Sequence, residues 1–179
     1  MSITAKSTKK KSLIYIWNQW IIPIIISIFL AIIINNFVVF KIKIPSESMA
    51  PTLNIGDRLL AYRIYNTKNL SRGDLVVFKY KPQGKLFIKR LIGLPNDEII
   101  INNGVVSVNG EMLEENYIEN NMLYNGRFKV PEDSYFFLGD NRNNSFDSRF
   151  WDYPYIASSD IRGKAFLKVY PFNEVNVFK

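Results

Sequence analysis

Between residues 12 and 40 the chain carries no charged side chain, and from 21 to 34 it reads IIPIIISIFLAIII. A helix needs roughly 20 apolar residues to cross about 30 Å of hydrocarbon, and the stretch 17–40 supplies that length. Tyr15, Trp17 and Trp20 stand at its start, where interfacial aromatics belong. Pro23 is also near the start, where a missing N–H costs least. The pattern predicts a membrane anchor over 15–40. A buried soluble helix is a poor fit, because so long an apolar run rarely stays inside a small domain. A cleavable leader would end its apolar core at a small-x-small site. The nearest is Ser48-Met49-Ala50, about ten residues past that core and followed by Pro51, so the span reads as uncleaved.

Beyond residue 40 the period changes. Short alternating apolar runs occupy 41–44, 58–64, 74–79, 86–92, 98–101, 105–108, 135–138 and 163–169. Runs of this kind, bounded by turn residues, predict strands. Asn103-Gly104 joins two of them as a hairpin signal, and Asn109-Gly110 and Pro82-Gln83-Gly84 mark further turns. No long helical period and no repeat follows. The body is therefore expected to be mainly β, built of many short strands. The stretch 111–131 has the least pattern and reads as a small excursion or a flexible loop. The chain divides on this reading into a basic terminus over 1–14, the anchor over 15–40 and a β-rich domain over 41–179.

Charge adds an orientation. The chain of 179 residues has 23 Lys and Arg against 16 Asp and Glu, a net +7. Lys6, Lys9, Lys10 and Lys11 precede the first acid, Glu47, and setting these four aside leaves 19 against 16, or +3. A near-neutral body argues against a nucleic-acid partner, which would need a basic patch on the fold itself. Lysines before the span place the terminus in the cytoplasm and the body outside, although Lys41 and Lys43 weaken the asymmetry. There is no Cys and no His. That removes disulfides, thiol nucleophiles, Ser-His-Asp triads and His-ligated catalytic zinc.

Any hydrolytic chemistry must then rest on the residues that are left. Just past the span lies PSESMAPTL at 45–53, with Ser46 and Ser48 two apart. In an extended segment their hydroxyls would share a side. By itself the segment reads equally as a polar turn between prolines. A lysine able to take a hydroxyl proton must be neutral, hence held in an apolar site. Lys89, in LFIKRLI at 86–92, is the candidate, with Phe87 and Leu91 on its face. An edge strand with an outward lysine fits that segment too. A third segment, GDNRNNSFDSR at 139–149, carries Asp140, Arg142, Asp147 and Arg149. It is able to lock itself, with Arg149 or Arg142 gripping Asp147 or Asp140.

These segments, in this order behind an N-terminal anchor, resemble the type I signal peptidases. The resemblance is carried by PSESMAPTL, GDRLLAYRI at 56–64, FIKRLIGLPNDEI at 87–99 and GDNRNNSFDSR. It implies a twisted antiparallel β catalytic core and a serine endopeptidase that removes signal peptides from exported preproteins. By position it implies Ser48 as nucleophile and Lys89 as general base. Ser46, with the Ser48 backbone N–H, is implied as the oxyanion hole. Ser145 is implied to orient the lysine, and Asp147, Arg149 and Asp140 to support the site structurally. Ile42, Ile44, Leu53, Phe87 and Ile88 are implied as walls of pockets for small side chains at −1 and −3. No cofactor and no metal is implied. The partners implied are preprotein signal peptides, the lipid bilayer and the protein-export translocon, at the plasma membrane with a single span. The alternative is an inactive anchored homologue that binds or scaffolds export substrates. Ser46, Ser48, Lys89 and Ser145 together argue against it.

Overall fold

The computed structural model describes residues 17–119 and 122–178, so the basic 1–14 segment lies outside them. The chain divides into two units, Met1–Val39 and Phe40–Lys179. In the first, the apolar run forms one helix from Trp17 to Val38. It is α-helical over Ile22–Ile33 (α1), with one wider turn at each end, Trp17–Ile21 and Ile34–Val38. Ser27 Oγ donates to the Pro23 carbonyl at 2.7 Å, so its hydroxyl needs no outside partner. The helix has 22 residues, which at about 1.5 Å per residue span about 33 Å. None of the side chains of α1 is buried by the chain. A helix apolar all round and unburied is long and apolar enough to cross a membrane.

The second unit is β throughout, apart from short single-turn helices. Its strands are β1 (Val39–Lys43), β2 (Arg58–Arg63), β3 (Leu75–Tyr80), β4 (Lys85–Gly93), β5 (Glu98–Asn102), β6 (Val105–Val108), β7 (Glu111–Met112), β8 (Gly126–Lys129), β9 (Ser134–Leu138), β10 (Ile156–Ala157), β11 (Ile161–Tyr170) and β12 (Asn176–Val177). The eight predicted runs correspond to β1–β6, β9 and β11. One sheet runs in the order β1-β2-β11-β3-β4-β9-β10, with β12 on β11, and a smaller one runs β7-β6-β5-β8. The pairings among β2–β12 in both sheets are antiparallel. Asn103 and Gly104 both have positive φ, 48° and 84°, which matches the twist a tight β5–β6 hairpin needs.

The stretch 111–131 departs from expectation. It holds β7 and β8, so the small sheet is completed by residues with no alternation to announce them. Strands of two to four residues are too short to show a period.

Alternation along β4 feeds three apolar clusters. Leu91 joins Phe78, Tyr80, Phe137 and Trp151. Ile88 joins Ile44, Met49, Leu53 and Val77. Ile92 joins Ile99, Phe136 and Leu138, and so ties the large sheet to the small one. Gly93 sits at that junction, where a Cβ would collide with Ile99, Phe136 and Val130. β4 pairs with β3 along its length, from Lys85↔Tyr80 to Arg90↔Leu75. Its other side pairs with β9 only from Arg90 onward. Lys89 is therefore in an interior strand, at the last position before that second neighbour begins.

Candidate active site

The segment carrying Ser46 and Ser48 is a turn rather than an extended strand, the polar turn between prolines that its residues allowed. Ala50 N–H donates to the Glu47 carbonyl at 3.0 Å, and Leu53 N–H to the Met49 carbonyl at 2.8 Å. Curling of this kind brings the two hydroxyls to 3.3 Å from each other. Met49 and Leu53 pin the turn by burying their side chains in the core, while Ser46 stays exposed and Ser48 half-buried.

Lys89 comes to this turn from β4. Its Nζ donates to Ser48 Oγ and lies 5.9 Å from the centroid of the Phe87 ring. The residue is only 4% exposed. Burial lowers its pKa from 10.5 to about 8, although Asp147 and then Asp140 pull upward. Arg149 pushes it down as well. Both carboxylates are engaged elsewhere. Arg149 Nε and Nη2 each donate to Asp147 at 2.9 Å. Arg90 Nε and Nη2 donate to Asp140 at 2.8 and 2.5 Å, and Thr52 Oγ1 donates to it at 2.6 Å. The Asp147–Arg149 pairing is one of the several that the loop's charges left open. Asp140 takes Arg90, which the sequence reading overlooked, although it adjoins Lys89 on the same strand.

The loop 139–149 grips the serine turn from above. Asn141 N–H donates to the Ser48 carbonyl at 3.2 Å, and Asn141 Nδ2 donates to the Glu47 carbonyl at 3.2 Å. Gly139 N–H donates to Asp147 at 2.9 Å. A Cβ on Gly139 would collide with both Ser145 Oγ and the Ser48 carbonyl. Only glycine allows the loop this close, so Gly139 belongs to the site although no chemistry marks it. Ser145 is 8% exposed, and its Oγ has no hydrogen-bond partner among the described residues. The hydrogen bond from Ser145 to Lys89 expected from the resemblance is thus not formed here.

Ser48 and Lys89 open onto a groove of about 550 Å³. Ile42, Ile44, Phe87 and Ile88 line it, together with Met49 and Phe146. Leu53 does not: it is fully buried in the core beneath. Phe146 was missed because nothing in the loop's charges points to a ring reaching into the groove. No group of His, Cys, Asp and Glu able to hold a metal occurs among the described residues.

A serine hydroxyl thus meets a buried lysine amine beside a largely apolar groove. The model of the signal peptidase family, peptidase S26, matches residues 17–170. A probable signal peptidase I-2 of Synechocystis is 43% identical over 171 residues, covering 89% of this chain and 78% of the relative. A signal peptidase I of Leptolyngbya laminosa is 44% identical, covering 84% and 78%. One from Bacillus licheniformis is 34% identical, covering 95% and 96%. The chain belongs to the signal peptidase family, peptidase S26, and is a serine peptidase of the signal-peptide-cleaving kind.

The buried amine has a measurable consequence for stability. An unfolded lysine ionises near ~10.4, whereas folded Lys89 does so at about 8. Between those values the unfolded state holds a proton that the folded state lacks, so this residue's contribution to stability rises with pH from 8 to 10.4. Below pH 8 the full cost is present, on the order of 3 kcal/mol at about 1.36 kcal/mol per tenfold change. Lys89→Met should therefore be more stable than wild type at pH 7, and the gap should close by pH 10.5. Urea midpoints of the full chain in detergent check this. A variant less stable at pH 7, or a gap independent of pH, contradicts it.

Proposed function

We propose that Ser48 is the nucleophile and Lys89 the general base with which this chain cuts signal peptides from preproteins. What carries the reading is the direct contact of Lys89 Nζ with Ser48 Oγ, on a lysine held largely apart from water. Neutral Lys89 takes the Ser48 proton, and Oγ attacks the scissile carbonyl. The oxyanion is met by the Ser46 hydroxyl and the Ser48 backbone N–H. The protonated lysine then gives its proton to the leaving amine, and the acyl group stays on Ser48 as an ester. Lys89 next takes a proton from an attacking water, and the ester breaks to free the carboxylate and restore Ser48.

Substrate binding follows from the strand edges. Among the described residues, β4 has no strand neighbour on one side over 85–89. An extended peptide laid along that edge gains main-chain hydrogen bonds, and alternate side chains enter the groove. Ile44, Ile88 and Phe87 leave room for small side chains at −1 and −3. Family membership supports signal peptides of exported proteins as the substrates, with the translocon and the bilayer as the setting in which they are met. The anchor supports an arrangement with the 1–14 terminus in the cytoplasm and the β domain outside, so that enzyme and substrate share one plane and meet at raised effective concentration.

Activity on a signal-peptide substrate should rise with pH through a single ionisation near the Lys89 value of about 8. Ser48→Ala and Lys89→Arg should both be inactive, the latter because guanidinium stays protonated. Replacing Ala by Phe at −1 of the substrate should block cleavage. Appreciable turnover by Lys89→Arg would remove the lysine as base, and cleavage after Phe would overturn the pocket assignment.

The orientation has its own test. Protease added outside intact spheroplasts should digest the β domain. Protection of that domain until lysis would reverse the assignment.

A further inference from the structure

Of the two arginines in the 139–149 loop, Arg149 serves Asp147 within the loop, while Arg142 reaches out of it. Arg142 Nε donates to the Gly139 carbonyl at 3.1 Å. Its Nη1 donates to Glu115 Oε2 at 2.9 Å and its Nη2 to Glu115 Oε1. The two side chains are 2% and 6% exposed. Tyr117 O–H donates to Glu115 Oε1 at 2.7 Å, and the Tyr117 ring lies 3.8 Å from the Arg90 guanidinium. Burial, then the charge and hydrogen bond of Glu115, raise the Tyr117 pKa, so the phenol remains a donor. The connection between β7 and β8 therefore touches both arginines that fix the start of the loop, Arg90 through Asp140 and Arg142 through Gly139.

From these contacts we propose that Glu115, assisted by Tyr117, is a positioning residue for catalysis. It anchors Arg142, which holds the Gly139 carbonyl and with it the placement of Ser145 and the Ser48 carbonyl. Glu115 touches neither the groove nor Lys89. The inference rests on the Ser48–Lys89 reading. Without the carboxylate a buried guanidinium is left unpaired, and the loop must open to hydrate it. Water then reaches Lys89, whose neighbouring charges Asp147, Asp140 and Arg149 are unchanged. Loss of a negative charge acting directly would make Lys89 easier to deprotonate, whereas hydration makes it harder. The direction of the pH shift separates the two.

The test uses the full chain in detergent with a signal-peptide substrate. Glu115→Gln should lower kcat by about tenfold to a hundredfold, the scale of a remote misplacement. KM should stay within about twofold, because the groove keeps its walls. The midpoint of the kcat–pH profile should move upward, and Glu115→Asp should recover part of the loss. Tyr117→Phe, which removes one hydrogen bond, should lower kcat by roughly threefold. A folded Glu115→Gln with wild-type kcat and midpoint, a loss confined to KM, or a downward midpoint overturns the proposal. Should Glu115→Gln fail to fold, Tyr117→Phe decides, and an unchanged kcat and pH profile there overturns it. Activity persisting in Ser48→Ala would instead overturn the reading beneath it.

Discussion

One constraint ties the site together: the Lys89 amine is held out of water, and on the proposed mechanism it must be dry enough to lose its proton at a pH of about 8. Desolvation is the largest influence on its pKa, and two carboxylates close by act in the opposite direction. The structure meets this by directing Asp147 to Arg149 and Asp140 to Arg90. Each pair is almost fully buried, so breaking one would leave an uncompensated charge at a cost of about 3–5 kcal/mol. The loop that carries both acids is thereby fixed, and the same loop covers the serine turn.

The two residues of the proposed mechanism come from opposite kinds of local structure. Lys89 is on a strand that shares in all three apolar clusters, so its backbone is rigid. Ser48 is on a turn, pinned by Met49 and Leu53 below and by Asn141 above. A strand and a turn cannot drift together, and their contact depends on the loop between β9 and β10. Gly139 sets how near that loop comes, since any side chain there would strike Ser145 and the Ser48 carbonyl.

Most of the large sheet was legible in the alternation of β2, β3, β4, β9 and β11, because each buries a face against apolar neighbours. Ser48, Lys89, Ser145, Asp147 and Arg149 were legible through family resemblance, and the structure brings them to one place. The residue pattern alone left the serine segment and Lys89 open to ordinary structural readings. Three things were not legible. Leu53 belongs to the core, because a curled turn directs it inward where an extended strand would not. Arg90 and Glu115 read as ordinary charges, since ion pairs across 50 and 27 residues leave no local spacing. Phe146 reads as one apolar residue in a polar loop, and only the aromatic cluster of Tyr80 and Trp151 beneath it explains its place beside the groove.

Lys89 ionises at about 8 because the fold dehydrates its amine. The most direct test titrates that amine itself, by NMR of the full chain in detergent with ¹³C,¹⁵N-lysine, the Lys89 signal being assigned by its loss in Lys89→Met. The Lys89 midpoint should fall at about 8, well below the exposed lysines at ~10.4. A Lys89 midpoint that coincides with theirs would contradict it.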